Sequence, residues 1–119
     1  MGQQRIFLTR DRGYIWEGPH LLFDPVFETI HARPSYVLRP DGLLLWFVQG
    51  RRRDESMGDK IRDEGRPMVL ASEDGVSWNF LSYITPEHAY PPKIFPHPAI
   101  LPDRKIVVAL RAPLFHSFA

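Results

Sequence analysis

Apolar residues fall in short runs broken by Pro, Gly or Asp: Leu43-Leu44-Leu45-Trp46-Phe47-Val48, Met68-Val69-Leu70-Ala71, Phe80-Leu81 and Ile106-Val107-Val108-Ala109-Leu110. None sustains a helical period, whereas apolar runs of this length between turn residues predict strands. Around the longest run the spacing predicts four strands, at about 35–39, 43–49, 67–71 and 78–84. Pro40-Asp41-Gly42 joins the first two: proline presets φ, aspartate bonds the backbone ahead of it and glycine accepts φ > 0. Asp74-Gly75 joins the last two. Runs with no polar alternation, such as Leu43 to Val48, read as strands covered on both faces, as in sheets stacked on neighbouring sheets.

The turn before the fourth strand has a partner. Ser72 to Trp78 reads Ser-x-Asp-Gly-x-x-Trp, and Thr9 to Trp16 reads Thr-x-Asp-x-Gly-x-x-Trp, one residue longer. Trp16 and Trp78 lie 62 positions apart, and the same offset carries Pro34 onto Pro96, Pro40 onto Pro102 and Asp41 onto Asp103. The chain therefore repeats a unit of about 60 residues, longer than the usual solenoid unit. The expected fold is all-β, with antiparallel four-stranded sheets packed face to face around an axis as the blades of a β-propeller. Residues 1–119 are expected to form one partial propeller, in which 5–24 end one blade, 33–85 form a complete blade and 95–112 begin the next. A closed propeller takes at least about four blades. The expectation is therefore a fragment of a longer protein; the alternatives are several copies that assemble, or two half-blades that combine within one chain.

Composition narrows the chemistry. With 44% hydrophobic and 24% charged residues among 119, the chain suits a single globular domain or a piece of one. A net charge of +1 gives no field suited to a nucleic acid or an acidic membrane. No apolar run is long enough to span a bilayer as a helix. Cysteine is absent, which excludes disulfides, thiolate chemistry and cysteine metal sites. His20, His31, His88, His97 and His116 show no ligand spacing, so neither a metal nor another cofactor is expected. Localisation stays open.

In both repeated turns a hydroxyl and a carboxylate can bond backbone groups that the turn leaves unpaired, glycine can take the left-handed position, and tryptophan can cover the hairpin. With Thr9, Asp11, Gly13 and Trp16 in one copy and Ser72, Asp74, Gly75 and Trp78 in the other, the motif resembles the Asp-box of the sialidase superfamily. The segment His31 to Arg51, HARPSYVLRPDGLLLWFVQGR, is similar to the sialidase stretch that opens on an Arg-Ile-Pro motif and ends on a second-strand arginine.

The resemblance implies roles for particular residues. Arg33, followed directly by Pro34, matches one of three arginines that clamp the substrate carboxylate, a task suited to the planar, bidentate guanidinium. Arg51 matches a pocket arginine. The acid/base aspartate of the family lies in the loop just beyond, which makes Asp59 and Asp54 the candidates, Asp59 favoured by its Gly58 neighbour; an aspartate there needs a raised pKa to protonate a leaving oxygen. The tyrosine nucleophile of sialidases and its glutamate partner have no counterpart here, so no complete active site is expected in one copy. The implied function is a sialidase-like propeller segment that hydrolyses or binds glycans, with this chain alone inactive. Two alternatives stand beside it: a non-catalytic Asp-box module for glycan or protein binding, and an inactive partial product prone to self-association through unpaired strands. For Arg51 to Asp63 the competing reading is a solvated charged loop.

Overall fold

A computed structural model describes residues 4–22, 27–52, 66–85 and 94–111. They form eight strands: β1 (Arg5–Thr9), β2 (Trp16–Leu21), β3 (Phe27–Leu38), β4 (Leu44–Arg52), β5 (Arg66–Ser72), β6 (Asn79–Tyr83), β7 (Ile94–Ile100) and β8 (Ile106–Arg111). All pairings are antiparallel, in a two-stranded sheet β1-β2, a four-stranded sheet β3-β4-β5-β6 and a two-stranded sheet β7-β8. The fold is all-β among the described residues, and the three sheets do not close on one another there.

The four strands of the central sheet match the expected ones except at the start. β3 begins at Phe27 rather than near Ser35. Its ladder with β4 is interrupted around Arg33-Pro34: Ala32 faces Val48 and Tyr36 faces Trp46, so β3 takes four steps where β4 takes two. Proline has no N–H to give the ladder, which places it at such a bulge, and pairing resumes on its far side. The apolar pattern breaks at the bulge and so conceals the first half of the strand.

Each face of the central sheet carries a buried cluster. On one, Trp46, Val48, Met68, Leu70 and Trp78 form a cluster with Leu22 from the β1-β2 side, and Ile6 packs against it. On the other, Val37, Leu45, Phe47 and Val69 form a second cluster, against which Ile100 and Val108 of the β7-β8 hairpin pack. β4 therefore has no solvent side: Leu45, Trp46, Phe47 and Val48 are all buried. Each such side chain contributes about 1.5–3 kcal/mol by leaving water, and the alternating sides explain why the run reads as continuously apolar rather than alternating.

The two contacts are one contact made twice. At the 62-residue offset Leu22 corresponds to Ile84 and Trp46 to Val108. Leu22 meets the Trp46 face of the central sheet, and Ile84 lies on the face that meets Val108. Each sheet thus presents the same kind of face to the next one along the chain.

In β2, Gly18 sits beside a bulge opposite Ile6–Leu8. Its φ is +137°, and a Cβ there would lie 2.8 Å from the carbonyl oxygen of Ile6. Neither the backbone angle nor the space admits a side chain.

Candidate functional site

The two Thr/Ser-Asp-Gly-Trp turns carry the same hydrogen bonds. In the first, the Thr9 hydroxyl donates to Asp11 Oδ1 (2.9 Å) and accepts from the Asp11 and Gly13 N–H groups (3.4 and 2.9 Å). Asp11 Oδ1 also accepts from the Tyr14 and Ile15 N–H groups (3.1 and 2.9 Å), and Trp16 Nε1 donates to the Gly13 carbonyl (3.0 Å). In the second, the Ser72 hydroxyl donates to Asp74 Oδ1 (3.1 Å) and accepts from Asp74 and Gly75 (3.3 and 2.8 Å). Asp74 Oδ1 accepts from Val76 and Ser77 (2.9 and 2.8 Å), and Trp78 Nε1 donates to Gly75 (3.1 Å).

Matching the bonds one to one assigns the extra residue of the first turn to Arg12. Arg12 adopts φ 64°, directly before Gly13 at 99°, whereas the second turn passes through the left-handed region at Gly75 alone, φ 83°. The inserted residue is absorbed at the bend and the bonding pattern survives.

These bonds decide the chemistry of both aspartates. The Ile15 N–H, then the Thr9 hydroxyl, hold the Asp11 carboxyl below the usual carboxylate range. For Asp74 the cause is the Ser77 N–H, followed by that of Val76. A carboxylate that accepts several N–H bonds favours its charged form. It serves as an acceptor that closes the turn and is the opposite of a general acid, whose pKa must be raised.

A second pair of turns repeats at the same offset. In Arg39–Leu43 the Gly42 N–H donates to the Arg39 carbonyl (2.9 Å) and the Leu43 N–H to Asp41 Oδ1 (3.2 Å), while the Arg39 guanidinium pairs with Asp41. In Leu101–Lys105 the Arg104 N–H donates to Leu101 (2.9 Å), the Lys105 N–H to Asp103 Oδ1 (3.1 Å), and Lys105 Nζ lies 3.2 Å from Asp103 Oδ2. Gly42 at φ 90° is replaced by Arg104 at 71°. The Asp41 carboxyl is lowered by the Leu43 N–H first and the Arg39 side chain second.

The residues matched to the substrate site lie apart from these turns. Arg33 sits on β3 within its bulge, and Arg51 sits on the neighbouring β4, paired with Thr29. Both backbones are therefore on adjacent strands, Arg33 near the middle of β3 and Arg51 close to the end of β4 away from the Pro40 turn. Their side chains, and the whole of Asp54 and Asp59, lie outside the described residues. Among the described residues no group of three His, Asp or Glu is placed to hold a metal ion.

Two features had no clear sequence signal. Tyr36 stacks on Trp46 with ring centroids 5.3 Å apart, and Trp46 meets Trp78 at 5.2 Å, which joins β3, β4 and the second turn in one aromatic group. Burial pushes the Tyr36 phenol up. Arg66 lies 3.6 Å over the Tyr83 ring, and its Nη2 donates to the Thr85 carbonyl at 2.8 Å. Both depend on residues far apart in sequence. Cross-strand register brings them together: Tyr36 faces Trp46 across the β3-β4 ladder.

Comparison with protein-family models, curated proteins and solved structures returned no match.

Proposed function

We propose that the chain is a segment of a sialidase-like β-propeller whose three sheets are successive blades, and that it takes part in recognising or hydrolysing acidic glycans. The observation that carries this reading is the doubled Asp-box: two turns of unequal length that share one set of hydrogen bonds, each joining the last two strands of its unit. Sheets that present the same kind of face to the next sheet support the blade arrangement.

In this reading Arg33 supplies one arm of a carboxylate clamp, Arg51 lines the pocket, and Asp59 or Asp54 is the acid/base group. A chain with these residues alone binds without turning over substrate. The test is titration of the full chain with sialic acid and with its methyl ester, followed by chemical-shift changes. Binding of the free acid, lost in the ester and in Arg33→Ala and Arg51→Ala, is the expected result. Equal binding of acid and ester, or none of either, overturns the clamp.

One observation favours a second reading, a non-catalytic module for glycan or protein. The Oδ1 atom of each box aspartate closes its own turn, so the motif that defines the resemblance contributes architecture to the fold.

A further inference from the structure

The outer faces of the first and last hairpins are complementary halves of the contact that the chain already makes twice. Where the central sheet buries Leu70 and Trp78, the equivalent residues of the first hairpin, Phe7 and Trp16, are 54% and 57% exposed. Where β4 buries Leu45 on the opposite face, its equivalent Val107 in the last hairpin is 50% exposed. Tyr36 and Leu38 at one edge of the central sheet, and Leu81 at the other, are exposed as well. They lie where a two-stranded sheet is too narrow to cover a four-stranded one.

The strand edges match in the same way. β1 corresponds to β5 and β8 to β4, and β4 and β5 are neighbours in the central sheet, with Leu45 facing Ala71 and Trp46 facing Leu70. Among the described residues no strand pairs with the outer edge of β1 or of β8. Transferring the β4-β5 register to them sets Val107 opposite Leu8 and Val108 opposite Phe7. A sheet ordered β7-β8-β1-β2, with the last two strands from another copy, would reproduce the central sheet.

We propose that copies of this chain assemble head to tail, with β8 of one adding to β1 of the next, so that each junction completes a four-stranded sheet. The occupant of the exposed Phe7–Trp16 face is then the exposed Leu81 edge of a neighbouring copy's central sheet, and the Val107 face covers the Tyr36 and Leu38 edge of the next. The inference rests on the blade reading but not on the glycan chemistry. A head-to-tail contact either closes into a ring or grows without end. The blade geometry calls for closure: each copy supplies two sheets' worth of strands, and propellers of about 4–8 blades then require two to four copies.

Sedimentation and native mass spectrometry of the full chain test this. The expected result is one discrete species of two to four copies. Phe7→Asp and Val107→Asp, both at exposed positions, each convert it to a folded monomer. Mixing the two variants restores a single one-to-one dimer, because the intact edge of each fits the intact edge of the other and the second junction is blocked. In the cysteine-free chain, Leu8→Cys combined with Val107→Cys gives an intermolecular disulfide on oxidation. A folded monomeric wild type overturns the assembly while leaving the blade reading in place. An open ladder of sizes overturns closure, and an oligomer that neither charge variant disturbs overturns the proposed junction.

Discussion

The Thr9–Trp16 and Ser72–Trp78 turns share their hydrogen bonds but not their surroundings. Trp16 is 57% exposed, whereas Trp78 is 9% exposed and belongs to the core cluster with Trp46 and Met68. Ser72 is buried to 2% exposure, while the first turn is almost wholly at the surface. The difference separates two contributions that the motif usually combines. The polar residues set the path of the turn whether or not it is buried, and the tryptophan adds stability only where a neighbouring sheet packs on it.

The largest expected effect follows from that asymmetry. Trp78→Ala should destabilise the chain by about 3–5 kcal/mol, in the range of large aromatic truncations in a core, whereas Trp16→Ala should cost less than about 1 kcal/mol in a single copy, as surface changes do. Denaturant unfolding of both variants measures the gap; equal losses would show that burial is not what divides the turns. Next in size, Ser72→Ala leaves the N–H groups of Asp74 and Gly75 without their acceptor in a buried setting and should cost about 1–3 kcal/mol. Thr9→Ala removes the same bonds where water replaces them and should cost less than half of that.

A smaller effect, of opposite sign, is expected at the inserted residue. Arg12→Gly relieves a side chain from the left-handed region, a strain of about 1 kcal/mol, and should raise the melting temperature by a few degrees. Arg104→Gly restores the glycine found at position 42 and should act likewise, while Gly42→Arg should reverse it. The smallest effect concerns pH. Asp11, Asp41 and Asp74 have folded-state pKa values below the ordinary 3.8. Their stabilisation is therefore complete above the unfolded value and is lost as pH falls through the folded one. All three are exposed, so solvent limits the effect. Asp74→Asn should flatten the acid limb of the stability curve below about pH 4, through a small loss of stability at neutral pH and little change in acid.

The all-β class and the positions of the hairpins were legible because the turns announce themselves. Pro40-Asp41-Gly42 and the paired Asp-containing turns place the hairpins, and continuous apolar runs mark strands enclosed on both faces. The start of β3 was not legible: its ladder crosses Arg33-Pro34 by a bulge, and a bulge breaks the period on which strand recognition depends. Gly18 was equally hidden. The glycine is needed because the Ile6 carbonyl approaches from the opposite strand, and Gly-Pro within a strand pattern is the one local hint of it. For the candidate site, Arg33 and Arg51 were singled out by their likeness to a motif alone, and the structure adds that their strands are adjacent. Asp54 and Asp59 stand in a glycine- and charge-rich stretch with no apolar period to position them, so nothing in the physics of the sequence orders one over the other.

The enclosure of β4 has a consequence for how the sequence can vary. A strand with a wet face tolerates polar residues at every second position, and β8, whose described side chains alternate between exposed and half-buried over much of its length, should accept them so. β4 offers no such phase. From Leu45 to Val48 a charge introduced at any position meets one cluster or the other, and a saturation scan across the two strands should show a flat band of intolerance in β4 beside a period-two comb in β8.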